Sequence, residues 1–479
     1  MTHIIGEELL NCLLLVEWMI LVYFFFLSSF YALLLTSAVL DIGPHLQKER
    51  GENRRRLLGS DIVPRITLLA PAYNEAKTIA DRLRALLGLQ YPSLEVIVVN
   101  DGSKDTTLQV LIDQFELVAV HPIYEHRLQT KPLRALYRSK LHPNLVVADK
   151  DNGGKADSLN VGLNIASHEL VCAIDADTLI EPDALQRIVR PFIESDTVVA
   201  AGGTIRPVNG ALVKGGRVVR VHTPHRLLAG VQVVEYLRAF LFGRLGWNRL
   251  GGNMIISGAF GLFRREAVIR AGGYLHDTVG EDMELIVRLR RVGCESHESQ
   301  RVVFIPDPVA WTEVPESFRV LGNQRDRWHR GLADVLWRHR RHFFNPSYGA
   351  LGLVVFPYFV FGELLAPVIE ALGLLIMGLI VAFDDMNGSF MLLFFLIAYG
   401  YGILLSFASL VIEEFTFHRT ESFTDRLWLV LWCVIENIGL RQVTVYWRLR
   451  GLVKYARGRQ DWGVMDRRGF SKPGTAIAR

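Results

Sequence analysis

The stretch Leu170–Thr178 reads LVCAIDADT. Its apolar run, Leu170 to Ile174, suits a strand buried on both faces of a sheet. The run ends in Asp175-Ala176-Asp177. These carboxylates project where the strand leaves the core, at the edge where open α/β sheets place ligands. Isolated carboxylates are costly there unless positive charge compensates. A hard divalent cation does so by bridging carboxylate to phosphate oxygens. A bare D-x-D is short and degenerate, and by itself it reads more often as a solvated loop. The surrounding sequence decides between the two.

Upstream, Arg65–Ala70 and Leu94–Val99 read as strands, each followed by a helix, Ala76–Leu87 and Thr106–Glu116. That order predicts right-handed crossovers and a mostly parallel sheet flanked by helices, an α/β domain. His121–Asn152 is long, basic and poorly periodic, and reads as a surface insertion. Gly153-Gly154-Lys155-Ala156 opens another helix, to about Ala166. Downstream, Gly251–Phe263 is Gly-rich and apolar, and Gly280-Glu281-Asp282 begins a helix over Met283–Val292. Strands are predicted at Val198–Gly202 and Val302–Pro306, and an amphipathic helix at Leu227–Phe242. A helix over Ser317–Trp337 contains Gln324-Arg325-Asp326-Arg327-Trp328, in which Gln324, Arg327 and Trp328 share a face.

The chain has 479 residues, half of them hydrophobic, and the apolar surplus lies in blocks at its two ends. The net charge of +4 is too modest to argue for nucleic acid. Cys12, Cys172, Cys294 and Cys433 are scattered, which fits neither a zinc site nor a disulfide framework. Trp18–Leu40 is long enough to cross ~30 Å of hydrocarbon, and no small-residue cleavage site marks it as a removed signal peptide. Lys48, Arg50, Arg54, Arg55 and Arg56 follow it. The positive-inside rule then keeps the next domain cytoplasmic, in a multi-pass protein of the plasma (inner) membrane. Near the other end, Phe390–Ile412 is a clean span. Leu351–Phe383 carries Glu363, Pro367 and Glu370, and Arg426–Trp447 carries Glu436, Asn437 and Arg441. A tail with ten Lys/Arg against two Asp from Arg441 onward belongs on the cytoplasmic side. One of these segments is therefore expected to be interfacial or re-entrant. Leu351–Glu370 is the first choice, and a non-crossing last segment is the alternative. The expected division is a helix and basic linker (1–60), an α/β domain (61–345), apolar helices (346–447) and a basic tail (448–479).

PAYNE, VVNDGS, GGKADSLN, DAD, SGAFGLFRR, GED and QRDRW follow one another in this order. The set resembles the membrane-embedded processive family 2 glycosyltransferases, such as cellulose, chitin and hyaluronan synthases. It is most similar to the bacterial poly-N-acetylglucosamine synthase group. The resemblance covers roughly Arg65–Arg341. It implies a GT-A fold, a nucleotide-diphosphate sugar donor, a divalent metal (Mg2+ or Mn2+) and inversion at the sugar.

The resemblance also implies roles. Tyr73 and Glu75 lie in the loop that shapes the nucleotide pocket, and Asp101 contacts the uracil ring of UDP. Lys155 sits near the diphosphate, where a cation at a helix start suits phosphate. Asp177 is the direct metal ligand, and Asp175 shares the metal work while facing the nucleotide. Asp282 is the base that deprotonates the acceptor, and Glu281 orients. Gln324 and Arg327 serve the diphosphate, and Trp328 stacks on the acceptor sugar. Gly258 and Phe260 border the acceptor.

The expected activity is transfer of a hexose or N-acetylhexosamine from a UDP-sugar to a growing β-linked polysaccharide, coupled to its export. Glu363, Glu370 and Glu436 are candidates to line a polar exit path. Two alternatives stay open: a transferase adding one sugar to a lipid-linked acceptor, and a silent translocation or scaffold subunit. Expected partners are the nucleotide sugar, a glycan or lipid-linked acceptor, the bilayer and accessory membrane or export subunits, but no nucleic acid.

Overall fold

A computed structural model of the protein describes residues 2–51, 63–175, 178–382, 388–417 and 422–459. Asp177, the linker arginines Arg54, Arg55 and Arg56, and the tail beyond Arg459 lie outside the described residues. The chain forms two compact units. One is drawn from Lys48–Pro224 and Asn253–Pro315, the other from residues up to Gln47, His225–Gly252 and Glu316 onward.

The first unit is built on strands β1 (Ile66–Ala72), β2 (Leu94–Asp101), β3 (Leu117–Val120), β4 (Leu133–Ser139), β5 (Leu145–Lys150), β6 (Leu170–Ile174), β7 (Leu179–Ile180) and β8 (Val198–Pro207). Strands β9 (Leu212–Lys214), β10 (Arg217–Arg220), β11 (Phe260–Arg264) and β12 (Arg301–Thr312) complete it. Ten of them form one sheet in the order β3-β4-β5-β2-β1-β6-β11-β8-β12-β7, and β9 and β10 make a separate hairpin. The run β5-β2-β1-β6 is parallel, with Ile66 opposite both Leu94 and Leu170. Strand β11 enters antiparallel between β6 and β8. The sheet is thus a mixed α/β sheet of GT-A type, parallel where crossover helices link its strands.

The crossover helices sit where the periodicity puts them. Ile79–Leu87 buries Ile79, Leu83 and Leu86, one face at helical spacing. Lys155–Ile165 is buried from Asp157 to Asn164 and lies in the core with Leu69, Val99 and Val171. The strands expected at Arg65–Ala70, Leu94–Val99, Leu170–Ile174, Val198–Gly202 and Val302–Pro306 form as β1, β2, β6, β8 and β12, the last two running on to Pro207 and Thr312.

His121–Asn152 is not a surface insertion. It contains β4 and β5, and β5 is buried at every position and pairs parallel with β2. Its apolar run, Leu145 to Ala148, is only four residues long and lies inside a basic stretch. Periodicity is a weak signal over so few residues. What buries β5 is the neighbouring β2, remote in sequence.

The second unit holds the apolar helices. Asn11–Gln47, Gly388–Phe417 and Phe423–Ala456 are long and apolar enough to cross a membrane. Leu351–Leu364 and Ala366–Ala382 form a pair bent by 41°. This is the segment expected to be interfacial or re-entrant, and the bend lies beside Pro367, whose missing N–H interrupts helical hydrogen bonding. Three acids in the C-terminal helices are paired, as burial in an apolar setting demands, whereas neither carboxylate oxygen of the fully buried Glu17 in the first helix has a hydrogen-bond partner among the described residues. Glu363 accepts from Tyr31 at 2.7 Å, Glu370 meets Arg441 at 3.0 Å, and Glu436 meets Arg238.

Two helices expected in the α/β domain pack in this unit instead. Phe318–Arg338 lies along Arg441–Ala456, where Gly322 faces Trp447 and an added Cβ would stand 2.7 Å from the indole. The fully buried Asp326 clamps the pair, receiving Arg330 (2.8 Å), Arg450 (2.9 Å) and Lys454 (2.7 Å). Leu227–Glu235 packs on Phe423–Ile435, with Gly230 against Trp432.

The corrected role of β5 is testable by Leu145→Ala. A buried Leu→Ala change costs about 2–5 kcal/mol, whereas a surface change lies within about 0.5 kcal/mol. Chemical unfolding of the detergent-purified chain distinguishes these outcomes.

Candidate active site

Three elements converge where β6 ends. Strand β6 delivers Asp175. The helix Lys155–Ile165 begins with Lys155, and the helix Glu281–Glu295 begins with Glu281 and Asp282. Lys155 Nζ lies 2.6 Å from Asp175 Oδ1 and 3.5 Å from Glu281 Oε1. Asp282 Oδ2 accepts the Gly258 backbone N–H at 3.2 Å, and Oδ1 accepts that of Met283 at 2.9 Å. Gly258 lets the backbone lie close to this cation, because an added Cβ would stand 2.6 Å from Lys155 Nζ and the ammonium would have to shift. Lys155, Asp175, Gly258, Glu281 and Asp282, all singled out from the sequence, are therefore brought together.

The charges act on one another. Burial alone would lower the Lys155 pKa, but Asp175, Glu281 and Asp282 outweigh it and hold the ammonium above its ordinary value. Burial pushes the Glu281 carboxyl up; Lys155 opposes this and Asp282 adds to it. The donor set here is carboxylate oxygen gathered around a cationic group. That chemistry suits a hard divalent ion, although among the described residues no cluster of three or more His, Cys, Asp or Glu is arranged to hold one.

A second network lies behind the first, and the sequence did not disclose it. Lys150 is fully buried at the end of β5. Its Nζ donates to Asp101 Oδ1 at 2.5 Å and to the Asp151 carbonyl at 2.7 Å, and lies 2.6 Å from Asp157 Oδ2. Asp101 also accepts the backbone N–H groups of Gly153 (2.9 Å) and Gly154 (2.8 Å), and the Asn152 amide at 3.2 Å. Both Asp101 oxygens are thus engaged in holding the turn that leads into Lys155. Gly154 has φ +87°, a conformation that favours glycine. Asp149-Lys150-Asp151 after an apolar run repeats the pattern at Ile174-Asp175, the one local signal that could have revealed it.

The loop after β1 is stitched to the loop after β2. Asn74 donates its N–H to Ser103 Oγ at 3.0 Å, and its side chain accepts from Lys104 N at 2.8 Å. Tyr73 is exposed, while Glu75 turns to Arg82 at 2.9 Å. Phe260 is fully buried in β11 opposite Ile174, so its ring supports the strand from within.

Gln324, Arg327 and Trp328 belong to the other compact unit. The Arg325 guanidinium lies 4.4 Å above the half-exposed Trp328 ring and pairs with Glu235 at 2.6 Å. Gln324 Oε1 is buried with no hydrogen-bond partner among the described residues.

The chain resembles known proteins along most of its length. The family "Glycosyl transferase family 2" matches residues 67–271, and "Glycosyl transferase family group 2" matches residues 170–411, half of the chain. It is 30% identical over 293 residues to a poly-β-1,6-N-acetyl-D-glucosamine synthase of Staphylococcus epidermidis, covering 61% of this chain and 60% of the relative. It is 28% identical over 287 residues to the synthase of the same name from Staphylococcus aureus strain COL, covering 60% and 59%. The match thus spans about three fifths of these relatives' length. Among solved structures, a mannosyltransferase from Pyrobaculum calidifontis, in complex with GDP-mannose and Mn2+, shares the fold. Its TM-score is 0.52 at 21% identity, covering 90% of this chain and 99% of the other.

Lys150→Met would strand Asp101 and Asp157 in the interior. Removing one partner of a buried ion pair costs about 3–5 kcal/mol, and thermal unfolding should show that loss. A variant as stable as the parent would mean that this network does not hold the turn.

Proposed function

Since the chain belongs to the family 2 glycosyltransferases, we propose that it transfers a sugar from a UDP-sugar to a growing β-linked polysaccharide, with inversion. The observation that carries this reading is the convergence of Lys155, Asp175, Glu281 and Asp282 at the end of β6. The poly-N-acetylglucosamine synthases it resembles make UDP-N-acetylglucosamine the first donor to test.

Inversion by direct displacement needs no enzyme nucleophile. The acceptor oxygen forms its bond to C1 on the face opposite the diphosphate. The C1–O bond breaks, and its electron pair leaves with UDP. Asp282 takes the acceptor proton, a task typically worth roughly 10²–10⁴-fold. It is suited to this because its two backbone contacts fix the carboxylate while the residue stays half-exposed. Glu281, buried beside it, holds Lys155. The Lys155 ammonium meets the charge that develops on the departing diphosphate. A divalent cation held by Asp175 and Asp177 would neutralise further charge on that group.

Asp101 acts here through the turn it holds, and the exposed Tyr73 offers a face to the nucleotide. Gln324 and Arg327 serve the diphosphate and Trp328 the acceptor, in line with the resemblance. The basic residues after the first apolar helix favour a cytoplasmic transferase domain in the plasma membrane. The product would leave along the membrane helices, with Glu363, Glu370 and Glu436 on a polar path and accessory membrane subunits as partners.

Membranes offered UDP-glucose, UDP-N-acetylglucosamine, UDP-glucuronate and GDP-mannose test the reading. Polymer accompanied by UDP release is expected, and absence of nucleotide release with every donor would refute it. Asp282→Asn keeps the shape of the side chain but accepts no proton. It should leave UDP binding near normal while kcat falls by roughly 10²–10⁴-fold. Chelation should stop transfer and added Mg2+ or Mn2+ restore it, and Asp177→Asn should weaken UDP binding when metal is present. Unchanged UDP affinity in that variant would remove Asp177 from the metal site.

A further inference from the structure

Where the helix Phe318–Arg338 ends, the chain turns through Trp337–Asn345 towards the bent apolar pair that starts at Leu351. A polar helix gives way to an apolar one, so this turn lies at a hydropathy boundary. No Asp or Glu occurs between Asp334 and Glu363, whereas Arg338, His339, Arg340, Arg341 and His342 all do. Arg338 pairs with Asp334 at 2.8 Å. Arg340 and Arg341 are exposed, and neither has an ion-pair partner among the described residues. The Arg340 guanidinium lies 5.0 Å from the centre of the exposed Trp337 ring and donates to the Trp337 carbonyl at 3.1 Å.

Exposed aromatic rings stand beside these arginines. Phe343 and Phe344 lie 4.6 Å apart, and Phe361 of the apolar pair lies 5.8 Å from the first and 6.5 Å from the second. All three are exposed, Phe344 by 55%. Phe344 also has φ +52°, a left-handed conformation that is costly for a bulky side chain. The fold holds it there all the same. The Phe344 N–H donates to the Gly352 carbonyl at 3.1 Å, and Asn345 Nδ2 donates to the Arg341 carbonyl at 3.1 Å. The buried His342 anchors the turn. Its ring stacks on Phe356 with centroids 5.5 Å apart, and its Nδ1 lies 2.7 Å from the His339 carbonyl. A strained backbone that displays an apolar ring beside two guanidinium groups without acids calls for a ligand both apolar and anionic.

We propose that this corner binds an anionic phospholipid of the bilayer, its phosphate on Arg340 and Arg341 and its acyl chains against Phe343, Phe344 and Phe361. A guanidinium matches phosphate oxygens in geometry and in charge. Aromatic rings suit the boundary between headgroups and hydrocarbon. Inorganic phosphate would leave the rings uncovered, and a zwitterionic lipid carries no net charge to set against the arginines. The apolar pair that supplies Phe361 follows directly on the turn, so the occupant is a leaflet lipid rather than a soluble anion. Such binding needs the apolar helices to enter a bilayer and does not depend on which sugar is transferred.

The test is native mass spectrometry of the full chain in detergent, titrated with phosphatidylglycerol or with phosphatidylcholine. The parent should take up its first phosphatidylglycerol more tightly than phosphatidylcholine. Arg340→Gln combined with Arg341→Gln should weaken that binding roughly 30-fold, the worth of two basic side chains at an anionic surface, and leave phosphatidylcholine binding unchanged. Phe344→Gly removes the ring and relieves the backbone. It should weaken phosphatidylglycerol binding without lowering the thermal unfolding temperature. Equal binding of the two lipids by the parent, or parent-like phosphatidylglycerol binding in the double variant, overturns the proposal. Competition by inorganic phosphate would assign the arginines to a soluble anion and overturn it too. Lower stability or parent-like binding in Phe344→Gly removes that ring from the site.

Discussion

The buried ammonium of Lys150 is the interaction on which the α/β unit's site depends. A charge taken out of water is tolerated only when paired and hydrogen-bonded, and Lys150 meets that demand with Asp101, Asp157 and the Asp151 carbonyl. Those partners stand on β2, on the helix Lys155–Ile165 and in the turn between β5 and that helix. One cation therefore sets the relative position of three elements. The Asp101 carboxylate completes the job by collecting the Gly153 and Gly154 N–H groups, which aims the next residue, Lys155, at Asp175 and Glu281.

The site in front of this network follows the same electrostatic rule with different consequences. Lys155 is also surrounded by carboxylates, but its side chain remains partly open to solvent, as does that of Asp175. A cation in such a place can exchange partners when phosphate arrives, whereas Lys150 cannot. On the proposed transferase reading, the rigid pair behind and the accessible pair in front make a preorganised site, the arrangement that stabilises charge developing on a leaving group.

In the unit of apolar helices, the same rule governs acids that an apolar setting would otherwise reject. Glu363, Glu370 and Glu436 each meet an arginine, from Arg448, Arg441 and Arg238 respectively. Asp326 gathers three cations between two helices. The helix bearing Gln324, Arg327 and Trp328 thereby gains its place from charges on Arg441–Ala456.

The α/β class, the strand ending at Asp175, the helix starts at Lys155 and Glu281, and the long apolar helices were legible in the sequence. Each is written in neighbouring residues: an apolar run of sufficient length, a glycine pair before a helix, acids in a first turn. Strand β5 and the burial of Lys150 were not legible. The Lys150–Asp101 contact joins residues 49 apart. Local pattern reports which face of an element is apolar, because that depends only on the spacing of nearby side chains. Which buried charge finds a partner depends on how strands and helices from distant parts of the chain pack. That was decided by the tertiary structure alone.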